Sequence, residues 1–230
     1  MSKNAEIYST AKRKDNYDTL SKGMLIQEGK VWFSLRTNGE RNEMVSASHF
    51  SYENDCSHKW SSVPESRFDK VVELLDISNL NMQINISSRS LSSGVNYGVH
   101  LVFKFCGEKK SVAKRMYVNL TYKMGNETLH AYFATWREDE WMTIELYRFM
   151  NHKKSDATDL EFLIKSFSRC YCGNRAIFVE GIELRAINNA KSTLMEAQQV
   201  MRPTSNLDQL QQLPTYDISF DICSIFTQTL

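Results

Sequence analysis

The feature that most restricts what this chain can fold into is a period-two alternation of apolar and polar side chains between Phe68 and Ile187. Leu80, Met82, Ile84 and Ile86 alternate with Asn81, Gln83, Asn85 and Ser87. Val95, Tyr97, Val99, Leu101, Phe103 and Phe105 repeat the pattern, as do Met116, Val118, Leu120, Tyr122 and Met124. Further runs lie at Leu129–Thr135, Trp141–Tyr147, Leu160–Ser166 and Ala176–Arg185. Successive side chains of a strand point to opposite faces, so each run offers one face to a core and a mostly polar face to water. Seven or eight such runs, with no long helical pattern between them, predict an all-β domain of antiparallel strands. Two packed sheets, a β-sandwich of jelly-roll type, bury those faces most economically.

The flanks read differently. Residues 1–19 are polar, and Lys12-Arg13-Lys14 is a short basic run of the kind that is usually solvated surface. From residue 20 to 47 a β-hairpin lead-in is expected. Val31, Phe33 and Leu35 alternate with Trp32, Ser34 and Arg36, and Glu43–Ser46 returns after Thr37-Asn38-Gly39-Glu40. Asn and Gly tolerate the positive φ of a tight turn. The main domain is assigned to residues 48–187. The tail, 188–230, leaves two alternatives open. Asn188–Met201 has helical spacing, and Tyr216, Ile218, Phe220 and Ile222 suit a strand, while disorder until a partner is met competes with both.

Composition narrows the function. The 230 residues are 42% hydrophobic and carry 28 Lys+Arg against 27 Asp+Glu, a net charge of +1. That balance argues against a nucleic-acid binder driven by bulk charge, and the apolar fraction suits a packed core. The five cysteines are odd in number, and the C-x-C of Cys170 and Cys172 lacks the paired knuckles of a zinc site. No metal and no cofactor are expected. The N-terminus has no apolar signal region and no apolar run is long enough to span a bilayer, so a cytoplasmic or nucleocytoplasmic location is expected.

Catalytic signatures are missing. There is no G-x-S-x-G, no P-loop, no H-E-x-x-H and no kinase loop, and Arg137-Glu138-Asp139-Glu140 is expected to be a charged turn. The chain is therefore read as a non-enzyme. Aromatics near loop ends, Tyr52, Trp60, Trp136 and Trp141, are more informative, because a flat ring can stack on the C–H face of a pyranose. Trp141 opens an alternating run and is expected in the core. Trp60, in Cys56-Ser57-His58-Lys59-Trp60, has polar neighbours that suit a half-exposed position.

Five blocks then resemble one family. They are Trp60–Phe68 with Val72-Glu73-Leu74, Leu91–Tyr97, Val99–Lys104, Arg137–Leu146 and Ile177–Arg185. Arg137-Glu138-Asp139-Glu140-Trp141 is similar to R-x-D-G-W, and Val179-Glu180-Gly181-Ile182-Glu183-Leu184-Arg185 to V-E-G-I-E-I-R. In this order they resemble the plant phloem protein 2 family of Nictaba-like lectin domains. The segment from Leu20 to Ala47 resembles the lead-in of kinase-linked members. The resemblance implies a jelly-roll sandwich that binds glycans, chitooligosaccharides or N-glycan cores, without catalysis or metal; protein partners are the alternative. It implies a carbohydrate site at Tyr52, His58 and Trp60. Trp60 matches the last tryptophan of the family's Y-W-x-W, while Tyr52 and His58 stand where family lectins tend to have tryptophan. Arg148 stands where the family has the acid of G-E-F.

Overall fold

The computed structural model describes residues 19–52, 58–78, 80–107, 115–152, 159–169 and 176–187. The basic run at residues 12–14, the Cys170/Cys172 pair and the tail alternatives at residues 188–230 lie outside the described residues. So do residues 53–57.

Among the described residues, thirteen strands pair antiparallel to make up the fold. They are β1 (Met24–Ile26), β2 (Val31–Leu35), β3 (Arg41–Ser46), β4 (Ser51–Tyr52), β5 (His58–Ser61), β6 (Val71–Leu74) and β7 (Met82–Ser87). Then come β8 (Val95–Phe105), β9 (Arg115–Met124), β10 (Glu127–Trp136), β11 (Met142–Asn151), β12 (Asp159–Arg169) and β13 (Ile177–Ala186). Strand neighbours run β1-β2-β3-β13-β8-β11-β10-β9-β12-β7-β4, with β6 on β13 and β5 on β6.

This continuous path folds over on itself between β11 and β10. Those ten-residue strands pair only from Ala134↔Ile144 to Trp136↔Met142 and diverge beyond. Contacts between strands that are not neighbours show the two layers facing each other. Phe103 and Phe105 of β8 meet Phe167 of β12, with ring centroids 4.9 and 5.8 Å apart. The Tyr122 hydroxyl of β9 donates to the Leu146 carbonyl of β11. The result is an antiparallel two-sheet sandwich of jelly-roll type. Met82, Ile84, Ile86, Val118, Leu120, Tyr122, Phe162 and Ile164 fill the interior, as their alternation requires.

The predicted hairpin is present. Val31↔Val45 through Leu35↔Arg41 pair, Gly39 takes φ +80°, and the Asn38 side chain accepts from the Glu40 N–H at 3.1 Å. Its second strand continues the sheet, because β3 pairs with β13 from Gly181↔Ser46 to Leu184↔Glu43. The first half of that β13 edge is taken by β6, through Ile177↔Leu74 to Val179↔Val72.

One pattern differs from expectation. β8 is buried on both faces through Tyr97–Phe103 instead of having one polar face. It lies between β13 and β11, and its outward Val102 joins Met44, Phe68, Val71 and Trp141 in a second, smaller core. Trp141 is fully buried there, its indole N–H donating to the Glu65 carbonyl at 3.1 Å. The same double layering explains β6. Val72 and Leu74 face the main core while the adjacent Val71 faces the smaller one.

Candidate functional site

The three residues singled out by sequence come together. Tyr52 ends the two-residue strand β4, which pairs with β7 through Tyr52↔Met82. His58 and Trp60 lie two apart on β5, hence on one face, and β5 is held by β6 through Trp60↔Val72. β4 belongs to one layer of the sandwich and β5 to the other, so the cluster bridges their margins.

The rings form a corner. Tyr52 and His58 are stacked with centroids 4.6 Å apart and planes 26° apart. Trp60 stands at right angles to both, 6.1 Å from Tyr52 at 87° and 6.0 Å from His58 at 86°. Edge-to-face and offset pairs of this kind contribute about 0.5–1.5 kcal/mol beyond area burial, so the corner is organised before any ligand arrives. The Tyr52 hydroxyl is anchored to the Ala47 carbonyl at 2.8 Å, and burial pushes its pKa up, which keeps it a neutral phenol. Trp60 is 43% exposed, a large apolar surface left to water on a short strand. On the opposite side of the ladder Ser61 Oγ donates to Glu73 Oε2 at 3.0 Å. Chemically the corner leaves the Trp60 ring to water beside a partly buried Tyr52–His58 stack, which suits a ring-shaped ligand with C–H faces and a polar rim.

Arg148, at the family's acidic position, does not add an uncompensated positive charge. Its guanidinium binds Glu145 through two hydrogen bonds, one of them 3.0 Å from Nη2 to Oε2. His100 Nε2 lies 3.4 Å from the same carboxylate. Burial would raise the Glu145 carboxyl, but hydrogen bonding and charge from His100 and Arg148 outweigh it and bring it down to about 2. Arg148 is thus matched locally by a carboxylate.

The acidic turn is tied to its neighbours by ion pairs. Arg137 pairs with Asp139 at 2.9 Å and with Glu183 at 3.2 Å, and Lys104 meets Glu140 at 3.3 Å. Glu180 is fully buried; it accepts from the Arg67 N–H at 2.7 Å and from Ser66 Oγ at 3.2 Å. Burial pushes its carboxyl up to about 8 despite the neighbouring Arg137. An open cavity of about 460 Å³ lies beside this turn, lined by Trp136, Arg137, Thr143 and Arg185 among others. Thr143 and Arg185 lie in two of the family-like blocks, but nothing in the sequence placed them together, because they become neighbours only through pairing of separate strands. Among the described residues, no group of three or more His, Cys, Asp or Glu side chains is placed to hold a metal ion.

The family model for phloem protein 2 matches residues 40–186. The F-box protein At2g02240 of Arabidopsis thaliana is 30% identical over 200 residues, covering 76% of this chain and 61% of that protein. The putative F-box protein PP2-B2 of the same plant is 27% identical over 187 residues, covering 70% of this chain and 59% of that protein. The chain thus spans about three fifths of the length of these curated relatives. Among solved structures, the CBM22-2 xylan-binding domain of Paenibacillus barcinonensis Xyn10C aligns at 11% identity over 60% of this chain and 92% of that one, with a TM-score of 0.33. TmCBM61, solved with β-1,4-galactotriose, aligns at 11% identity over 60% and 87%, with a TM-score of 0.32. By the span of the family match, which takes in more than half of its residues, the chain belongs to the phloem protein 2 family.

Proposed function

We propose that this chain is a lectin-like module that binds oligosaccharides at the Tyr52–His58–Trp60 corner and does no chemistry on them. The observation that carries the reading is the convergence of the three rings with Trp60 left 43% exposed. The ligands are N-acetylglucosamine oligomers or N-glycan cores. In this reading the C–H face of one pyranose rests on Trp60, the Tyr52 ring edge closes the corner, and the His58 imidazole hydrogen-bonds a hydroxyl or acetamido group. A neutral chain suits this mode of recognition, since stacking and hydrogen bonding need no net charge. Membership of the phloem protein 2 family and the convergence of the three rings support the reading.

A glycan array followed by titration with chitotriose tests it. The expected result is saturable binding to N-acetylglucosamine-containing glycans, with the trisaccharide recovered intact after prolonged incubation. Absence of saturable binding to any array glycan contradicts it. Protein partners captured from plant extract and unaffected by competing chitotriose would then point to a protein-interaction module.

A further inference from the structure

A second surface of the sandwich has an unexpected composition. On β9, Val118, Leu120 and Tyr122 point into the core, which sends Tyr117, Asn119 and Thr121 outward. On β10 the register slips between Ala131↔Leu120 and Phe133↔Tyr117, placing two residues of β9 opposite one of β10. The irregularity resets the alternation: Leu129 and Ala134 are buried, and neither Tyr132 nor Phe133 packs on the core. Four rings therefore collect on one outer face. His130 and Tyr132 are parallel to within 10° with centroids 6.1 Å apart, and Tyr132 and Tyr117 to within 14° at 6.0 Å. Tyr117 and Phe133 meet at 81° with centroids 5.7 Å apart, so a ligand resting on the face of one meets the edge of the other. Tyr117 and Phe133 are each 47% exposed.

Next to the rings runs a row of neutral polar groups. Thr121 Oγ1 and His130 Nδ1 share a hydrogen bond of 3.2 Å, which fixes the imidazole. Asn119, between Tyr117 and Thr121, has a buried side-chain oxygen with no hydrogen-bond partner among the described residues. Strand β12 extends the row with Ser168 opposite Asn119 and Ser166 opposite Thr121. None of these eight positions is an acid, a lysine or arginine, or an aliphatic side chain; Arg115 and Lys123 stand exposed at the two ends of the same outward row of β9. Exposed rings gathered on one face, rather than scattered singly, mark a candidate binding region. Aromatic rings bordered by amides and hydroxyls match the C–H faces and hydroxyl edges of sugars.

We propose that the outer face of β9 and β10, with Tyr117, Tyr132 and Phe133 as the stacking floor and the neutral polar row beside it, binds a neutral linear oligosaccharide independently of the Trp60 corner. This extends the lectin reading to a second site. The test is a titration of the ¹⁵N-labelled full chain with chitohexaose, cellohexaose, xylohexaose and mannohexaose, followed by amide shifts. At least one hexasaccharide is expected to shift Tyr117, Asn119, Tyr132 and Phe133 saturably, both in the wild type and in Trp60→Ala. Tyr117→Ala/Tyr132→Ala should weaken that titration tenfold or more and leave chitotriose binding at the corner unchanged. The wild-type map stands even if the double variant folds poorly. The proposal is overturned if no hexasaccharide shifts these amides, or if the shifts vanish in Trp60→Ala. Self-association that the double variant abolishes also overturns it, because the face would then receive a second copy of the chain. Chitotriose binding at the corner without hexasaccharide shifts on β9 and β10 leaves the lectin reading standing and removes only the second site.

Discussion

Glu180 shows how far a single side chain can depart from its sequence reading. Within Val179-Glu180-Gly181 it reads as one more strand residue, yet it is fully buried between Arg67 and Ser66. Its second oxygen lies 3.7 Å from Arg67 Nη1 without a hydrogen bond, and burial lifts the carboxyl to about 8. The folded state therefore holds a proton that the unfolded chain has released above its ordinary value of 4.5. Stability contributed by this group falls as pH rises from 4.5 towards 8. Glu180→Gln keeps an acceptor for Ser66 and Arg67 and removes the titration. Melting temperatures of this variant should change less between pH 6 and pH 8.5 than those of the wild type; an unchanged pH slope would contradict the burial argument. Glu145 has the opposite sign, since a carboxyl held at about 2 contributes stability that is lost as pH falls below 4.5. Tyr52, His58 and Trp60 were legible from ring chemistry and family spacing, while their mutual distances depend on two strands too short to announce themselves.

At the scale of the element, long strands were legible and short ones were not. Val95–Phe105 keeps an apolar residue at every second position over eleven residues and forms β8 over the same span. β4, β5 and β6 have two to four residues each, and their order comes from neighbours. Ser51-Tyr52 becomes a strand on β7, and the polar His58-Lys59-Trp60-Ser61 becomes one on β6. Val71-Val72 shows no alternation because it faces two cores. The aromatic face of β9 and β10 was hidden for a related reason, since the register slip places Tyr132 and Phe133 on a common surface. Where β3 lies against β13, an added Cβ at Gly181 would stand 2.0 Å from the Val45 carbonyl oxygen, a backbone atom that moves only with its strand. Gly181→Ala should destabilise the fold by about 1–3 kcal/mol, the range for forced overpacking. Urea titration measures this, and a midpoint equal to the wild type would show that β3 yields freely.

For the whole molecule, alternation predicts an antiparallel sandwich, and the fold confirms it through facing aromatics from β8 and β12. What periodicity could not supply is which margins meet. β4 hangs from β7 in one layer and β5 from β6 in the other, so the candidate site forms only when the sandwich closes. The Trp60 corner is consequently a property of the complete domain, and its function should be lost on unfolding along with the core. Calorimetric titration of chitotriose into the wild type and into a folded Trp60→Ala variant tests this most directly. Loss of a stacking surface worth about 0.5–1.5 kcal/mol together with buried ring area predicts affinity weakened about tenfold or more. Equal affinity in the two proteins, with the variant's melting temperature unchanged, would contradict the assignment of sugar binding to this corner.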